Sequence, residues 1–193
     1  MRLAIFGGTF DPVHYAHLAI AREALTHFRL DRVLFVPAAA PPHKGGLTEA
    51  GFADRVRMVE LACADVPQFA VSRLEEGTCR SYSIDTIERV RASLGPADEL
   101  YFLIGADAFA EIQTWHRWRD VVRLVAFLVV SRPGYTFTTP NGAEAERLDS
   151  SQLQVSSSAL RRRLRAGERP QEVPGAVLEY IERHSLYHGP REN

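Results

Sequence analysis

The stretch LAIFGGTFDPVHYAH, residues 3–17, decides the fold of this chain. It begins with an apolar strand, predicted over residues 2–6, which runs directly into Gly7 and Gly8. Glycine lets backbone N–H groups approach a ligand closely, and we expect both residues to accept a positive φ. A strand, a small-residue turn and a helix start that carries two histidines together indicate a phosphate-binding site.

A helix is predicted from Tyr15, because apolar residues follow it at helical spacing. These residues are Leu18, Ala21, Leu25 and Phe28. The first turn of a helix offers unpaired N–H groups and the positive end of the macrodipole, which stabilise an anion. His14 and His17 lie three residues apart on one face of that turn, so both can direct N–H donors at the same phosphate.

Other sites that combine glycines or histidines do not fit this stretch. The turn is not G-x-G-x-x-G, and G-x-x-x-x-G-K-[ST] occurs nowhere in the chain, which disfavours a Rossmann dehydrogenase and a P-loop NTPase. His14 and His17 have no cysteine nearby and no H-E-x-x-H context. We therefore expect no metal ion held by the protein itself.

Composition limits the class of protein. With 193 residues, 46% of them hydrophobic and 24% charged, the chain is predicted to form one α/β domain over residues 1–193. A formal net charge of -1 gives no reason to expect a nucleic acid polymer or a membrane surface as partner. No apolar run approaches about 18 residues, no signal peptide is evident, and we expect a cytoplasmic location. Cys63 and Cys79 are expected to stay reduced, and the oligomeric state stays open.

Strands alternate with amphipathic helices, which predicts a mainly parallel central sheet with helices on both faces. Strands are predicted at residues 2–6, 32–36, 69–73, 99–104, 125–130 and 152–155, and the segment before Asp149 is expected to be irregular. Helices are indicated at residues 52–63 and 84–94, then after the capping residue Ser156, and from Val173-Pro174 through His184. Because the candidate motifs follow strand ends, they are expected to share one cleft.

The string GGTFDPVHYAH resembles the H-x-G-H nucleotidyltransferase superfamily, and within it the bacterial nicotinate-nucleotide adenylyltransferases. The resemblance covers nearly the whole chain and implies a Rossmann-like nucleotidyltransferase fold. It implies transfer of AMP from ATP to nicotinate mononucleotide, which yields deamido-NAD⁺ and pyrophosphate. Mg²⁺ is expected to arrive with ATP, because it prefers phosphate oxygens and water. Ala16 stands where the family usually has glycine, and the added methyl group should leave the helix start intact.

The ATP half of the implied site draws on three segments. Ser156, Ser157 and Ser158 begin a helix and form a second anion site, with Arg161 one turn further on. The family string is ISSTxIR, so Ser158 replaces a threonine. The residues expected to bind ATP are Gly7, Gly8, Thr9, Phe10, His14, His17, Gly105, Ser156, Ser157, Ser158 and Arg161. His14, His17 and Arg161 are the expected catalytic residues, whereas Arg162, Arg163 and Arg165 are expected to be merely solvated.

The implied acceptor site lies in four further motifs. They place Lys44 in PPHK, Ser83 in SYSIDT, Asp107 and Trp115 in GAD…W, and Arg132 in RPG. Lys44 and Arg132 are expected to hold phosphate, Asp107 the ribose, and Trp115 to stack on a pyridine ring. The resemblance implies that the backbone N–H of Ser83, where the family has threonine, holds the nicotinate carboxylate.

Ordinary structural roles stay open for several of these residues. Lys44 as a solvated turn residue, Ser83 as part of a helix cap and Trp115 as a core aromatic are the alternatives, and Trp118 is assigned to the core. Two functional alternatives also remain. One is a related adenylyltransferase that uses nicotinamide mononucleotide or phosphopantetheine, and the other is a nucleotide-binding regulator without turnover.

Overall fold

A single sheet of parallel strands organises the computed structural model, which describes residues 1–40, 48–151 and 155–187. Within those ranges the sheet has six strands in the order β3-β2-β1-β4-β5-β6. The strands are β1 (Arg2–Gly8), β2 (Arg32–Pro37), β3 (Phe69–Val71), β4 (Glu99–Gly105), β5 (Ala126–Ser131) and β6 (Ala145–Asp149). This order is that of a doubly wound sheet, in which the chain reverses direction across the sheet between β1 and β4.

Helices cover both faces of the sheet, as predicted. They are α1 (Tyr15–His27), α2 (Phe52–Cys63), α3 (Ser83–Ala92), α4 (Ala106–Ala110), α5 (Trp118–Leu124), α6 (Ser157–Arg165) and α7 (Gly175–Arg183). Buried residues of α1, α2, α6 and α7 share one hydrophobic cluster, and those of α3, α4 and α5 share the other. Alternate residues of the central strands point into one cluster or the other, so these strands are buried on both faces. For this reason their sequences are continuously apolar.

The predictions were wrong at the sixth strand. The segment expected to be irregular contains β6, which pairs in parallel with β5 from Phe127↔Ala145 to Ser131↔Asp149. Its sequence, AERLD, buries only Leu148 and keeps charged side chains at the sheet edge, so it lacks the apolar run of a central strand. Of the strand predicted at residues 152–155, residues 152–154 lie outside the described residues, and Val155 is not in a strand.

Two short helices, α4 and α5, and a 3₁₀ turn at Ile112–Thr114 fill the connection from β4 to β5, where no helix was predicted. They have only a few residues each, which is too short for a periodic apolar pattern. Trp118, which was predicted to lie in the core, is half-buried and packs against the hydrophobic cluster that the buried residues of α3, α4 and α5 share. Cys63 is buried and Cys79 is exposed, and both are free thiols, as expected.

The turn after β1 differs from the prediction in one respect. Gly7 and Gly8 continue the strand without positive φ, and the left-handed residue is Phe10, at φ 48°. Gly8 is needed for another reason, because a Cβ built on it would lie 2.9 Å from the ring of Phe10. That ring is 1% exposed and contacts Phe6, Phe35 and His17. Glycine is thus required here by close packing.

No helix in the described part of the chain is long and apolar enough to span a bilayer.

Gly8→Ala is expected to destabilise the fold by about 1–3 kcal/mol, because the buried Phe10 ring has no free space into which it can move. The matched control is Gly7→Ala, whose Cβ would lie 3.6 Å from Phe102, an ordinary contact. Thermal unfolding of both variants checks the prediction. Equal melting temperatures for the two variants would contradict it.

Candidate active site

The two histidines predicted to act together do lie together. His14 is the N-cap of α1 and His17 is in its first turn, and their rings stack at 3.7 Å between centroids. The backbone N–H of His14 donates to Nδ1 of His17 over 3.3 Å. A neutral His17 that accepts at Nδ1 carries its proton on Nε2. His17 can therefore donate a hydrogen bond from Nε2.

His14 is 4% exposed, and its Nδ1 has no hydrogen-bond partner within the described residues. Burial lowers the pKa of His14 to about 4, although the charge of Glu172 opposes the shift. His14 is consequently neutral at physiological pH. His14 therefore offers the N–H of a neutral imidazole, and the helix end supplies the positive potential.

The first turn of α1 is less open than the sequence indicated. The N–H of Tyr15, the first of the helix, donates to the carbonyl of Glu172 over 2.8 Å. The N–H of His17 is bonded to the carbonyl of His14 over 3.0 Å. Ala16 is buried and the helix forms normally around it, as expected for alanine in place of glycine.

The start of α6 meets this turn. Ser156 caps the helix, its hydroxyl accepting from the N–H of Ala159 over 3.3 Å, as predicted. The Ser157 hydroxyl donates to the carbonyl of Pro12 over 3.1 Å, which joins α6 to the loop after β1. Ser158 is exposed and lies 3.3 Å from the Ser156 hydroxyl. The second predicted anion site therefore lies against the loop that leads to the first.

Arg161 also faces the turn, but two of its three nitrogens are engaged. Nη1 donates to the carbonyl of Asp11 over 2.7 Å, and Nε pairs with Glu49 over 2.6 Å. Glu49 also pairs with Arg165. Burial alone would raise the pKa of Glu49, but hydrogen bonds from Arg161 and Arg165 hold it below the usual value. Arg161 thus has a carboxylate partner that an ATP phosphate would have to replace or join.

Arg163, like Arg165, is ion-paired instead of merely solvated as expected. Its Nε and Nη1 pair with Glu168 and Glu172, each over 2.8 Å. Such contacts between half-exposed side chains contribute little stability each.

Asp11 was missed as a functional candidate although it lies within the opening motif. Its buried carboxylate accepts the N–H of Glu49 over 2.8 Å, the N–H of Ala50 over 3.1 Å and the hydroxyl of Tyr187 over 2.6 Å. Burial and the charge of Asp11 raise the pKa of Tyr187 far above its usual value, so the hydroxyl remains a donor. The loop that carries the histidines is therefore tied to α2 and to the turn after α7.

A cavity of about 230 Å³, called the main cavity below because predicted site residues converge on it, opens at the carboxyl ends of β1 and β4, where the strand order reverses. Predicted site residues from four separate segments line it, namely Gly7 and Gly8, Ser83, Gly105 and Trp115. Trp115 is half-buried and its ring meets Phe102 edge-to-face at 5.9 Å. Glu75 and Thr86 also line the cavity and were not predicted.

Helix α3 directs its N-terminus towards this cavity, because Ser83 is both its first residue and part of the lining. Its N-cap residue, Tyr82, makes no side-chain cap bond. The N–H groups of Asp85 and Thr86 bond to the carbonyl of Tyr82, over 3.1 and 3.4 Å. A helix end without a side-chain cap is suited to a carboxylate or phosphate.

A second cavity of about 240 Å³ adjoins the first at Gly105. Its lining brings together Asp107 and Arg132, two further acceptor residues predicted from sequence, with Ser131 and Tyr135. Asp107 and Arg132 are both exposed, so they can reach a ligand. Arg147 of β6 fixes the turn, donating to the Arg132 carbonyl over 3.3 Å and to Asp149 over 2.6 Å.

Two of the predicted residues need separate comment. Lys44 lies outside the described residues. The Phe10 side chain is buried among aromatic rings, so any contact of this residue with ATP has to come from its backbone.

Among the residues that the structure describes, no group of three or more His, Cys, Asp or Glu side chains is arranged to hold a metal ion.

Known proteins are similar to this chain over most of its length. Residues 5–163 match the cytidylyltransferase-like family model. A probable nicotinate-nucleotide adenylyltransferase of Solibacter usitatus is 65% identical over 97% of this chain and 100% of its own length. One of Citrifermentans bemidjiense is 41% identical over 97% of this chain and 98% of its own. The nicotinic acid mononucleotide adenylyltransferase of Plasmodium falciparum, solved in complex with NaAD, shares the fold, with a TM-score of 0.78 and 19% identity over 96% of this chain and 97% of its own.

The lowered pKa of His14 predicts a pH-dependent stability. Above about pH 6.5 His14 is neutral in both folded and unfolded chains. As the pH falls towards 4, the unfolded chain binds a proton that the folded chain does not, so the folded state loses stability. Between pH 7 and pH 5 this loss is about 2 kcal/mol.

Urea unfolding of the wild type and of His14→Asn at pH 7 and pH 5 measures this effect. The wild type is expected to lose about 2 kcal/mol more than the variant on acidification. The variant serves as the control for all other titrating groups. An equal loss in both proteins would contradict the assignment of a neutral, buried His14.

Proposed function

Since the chain belongs to the nicotinate-nucleotide adenylyltransferase family, we propose that it transfers AMP from ATP to nicotinate mononucleotide and releases pyrophosphate. The product is deamido-NAD⁺, which makes the reaction a step of NAD biosynthesis. The observation that carries the proposal is that the end of β1 lines the main cavity, while the loop that follows it leads to the histidines and is bonded to the start of α6. A nucleotide donor and an aromatic acid acceptor fit these two halves of one cleft.

The reaction needs alignment more than acid–base chemistry. The phosphate of the mononucleotide is already an anion, so it attacks the α-phosphorus of ATP without a general base. The bond between the α-phosphorus and the oxygen that bridges it to the β-phosphate breaks, and pyrophosphate leaves with the electron pair of that bond. Catalysis then depends on holding both nucleotides in line and on donors that stabilise the charge of the transition state.

The histidine turn and α6 are assigned to ATP. His17, with its proton on Nε2, and the neutral His14 donate to the phosphates as charge develops there. The start of α6 and Arg161 hold the β- and γ-phosphates. For this Arg161 turns part of its guanidinium from Glu49 to the triphosphate.

The acceptor is assigned to the two adjoining cavities. Trp115 provides the aromatic face for the pyridine ring, and the N-terminus of α3 at Ser83 receives its carboxylate. Asp107 and Arg132 in the second cavity hold the ribose and the phosphate. A carboxamide lacks the negative charge that the helix end stabilises, so this arrangement favours nicotinate over nicotinamide.

Mg²⁺ enters this scheme as part of the ATP substrate. The carboxylates of Asp11 and Glu49 beside the histidine turn are taken by backbone N–H groups, Tyr187 and arginines. The imidazoles and serine hydroxyls of the turn suit phosphate oxygens instead of a magnesium ion. The ion would therefore keep its phosphate and water ligands and neutralise part of the triphosphate charge. Because its substrates are soluble nucleotides, we place the enzyme in the cytoplasm.

Pyrophosphate release with ATP and Mg²⁺ tests the proposal. Nicotinate mononucleotide, nicotinamide mononucleotide and phosphopantetheine are offered at equal concentration, and a large preference for the first is expected. A preference for another acceptor would keep the enzyme class but reject the roles of Ser83 and Trp115. Binding of ATP with no release of pyrophosphate on any acceptor would instead support a nucleotide-binding regulator.

His17→Ala is expected to lower kcat by about 10²–10³-fold, on the scale of losing one donor to a transition-state anion. KM for both substrates should change little, because the donor acts mainly in the transition state. Steady-state kinetics with each substrate varied in turn gives both constants. An unchanged kcat with a raised KM would assign His17 to substrate binding alone.

A further inference from the structure

One peptide group in the wall of the main cavity is held from both ends by buried, oppositely charged side chains. The carbonyl of Ala38 accepts from Nη1 of Arg55 over 2.7 Å. The N–H of Ala39, in the same peptide group, donates to Oε2 of Glu75 over 3.1 Å. A cation at the oxygen and an anion at the nitrogen both follow the dipole of the peptide, so the two contacts reinforce each other.

Arg55 extends this contact to the ATP side of the cleft. Its side chain is 0% exposed, and Nη1 also donates to the carbonyl of Thr9 over 2.8 Å, directly after Gly8. Nε donates to the carbonyl of Ala50 over 3.2 Å. The guanidinium thus joins the ends of β1 and β2 to the start of α2.

Glu75 extends the contact to the acceptor side. Its Oε1 accepts the hydroxyl of Thr86 over 2.8 Å, and Thr86 lies in the first turn of α3, next to the helix end that Ser83 forms. Glu75 and Thr86 both line the main cavity. A continuous set of hydrogen bonds therefore runs from Thr9, through Arg55, the Ala38–Ala39 peptide and Glu75, to α3.

Burial of the charged Arg55 side chain lowers the stability of the fold. Among the described residues no carboxylate lies at ion-pair distance from Arg55, although the charges of Asp11 and Glu75 act on it from further away, and its buried Nη2 has no hydrogen-bond partner. Removing a charge from water without a paired counter-ion costs several kcal/mol, and an apolar residue of the same size is often better for the fold. A buried charge that costs stability is typical of a functional site, where the position of a group matters more than its contribution to the fold.

We propose that Arg55 and Glu75 are positioning residues that set the distance between the ATP turn and the acceptor cavity. The role rests on the proposed function, because in-line transfer requires the attacking and leaving groups to be aligned within a fraction of an ångström. Neither side chain is assigned to the reacting atoms. Their loss should therefore lower the rate of transfer much more than the affinity for either nucleotide alone.

The test uses Arg55→Met, Glu75→Ala and the double variant, with kcat, both KM values and thermal unfolding measured for each. Each single variant is expected to lower kcat by about 10–100-fold, while the Kd of ATP alone changes by less than about 3-fold. Since both residues act through one peptide group, the double variant should be little worse than the more affected single one. Matched controls are Arg57→Met on the same helix and Glu76→Ala beside Glu75, both in exposed ion pairs.

Two outcomes would overturn the proposal. One is folded single variants whose kcat lies within about 2-fold of the wild type, and the other is a double variant whose loss is the product of the single losses. If Arg55→Met does not fold, Arg55→Lys replaces it. A single ammonium cannot take the place of Nη1 at the carbonyls of Thr9 and Ala38 and of Nε at the carbonyl of Ala50 together, so a loss of about 10-fold is still expected.

Failure of the proposed function gives a different result, namely a wild type that releases no pyrophosphate with any acceptor. In that case hydrogen exchange of the Ala39 amide still tests the contact itself. Glu75→Ala should speed that exchange by more than about 10-fold relative to Glu76→Ala. Equal exchange in the two variants would show that the peptide is not held by Glu75.

Discussion

The carboxylate of Asp11 is the contact on which the rest of the site depends. It accepts two backbone N–H groups, of Glu49 and Ala50, in the turn before α2, and the hydroxyl of Tyr187, near the far end of the described chain. The backbone carbonyl of Asp11 accepts a hydrogen bond from Arg161 of α6. The short loop between β1 and the histidines is thus fixed by segments far apart in sequence. This explains how a loop without regular structure can hold His14 and His17 in one stacked arrangement.

Much of this could be predicted from local sequence. The parallel sheet, helices on both faces and the paired histidines follow from apolar periodicity and from residue types at strand ends. The convergence of Gly8, Ser83, Gly105 and Trp115 on one cavity also follows, because parallel strands end at one edge of a sheet. These features depend on short-range patterns and on topology, and both are legible in a single chain.

What escaped prediction depends on contacts between distant segments. Arg55 lies on the apolar stripe of α2, beside Val56 and Val59, and a charged residue there was the one available signal of a buried role. Glu75 follows a strand of three residues and gives no such signal. The left-handed Phe10 and the close approach of its ring to Gly8 also arise from packing, so the positive φ predicted for Gly7 and Gly8 was wrong.

The two margins of the sheet have a consequence for the behaviour of the chain in concentrated solution. A parallel sheet that is not closed leaves unpaired backbone groups along its outer strands, which can template further strands from other molecules. Here one margin is β3, with only three residues, and the other is β6, which carries Glu146, Arg147 and Asp149 among its five residues. Because β3 is short and β6 is charged, neither edge strand pairs readily with a strand of another molecule. The same charged sequence that concealed β6 from prediction therefore protects the protein from open-ended aggregation.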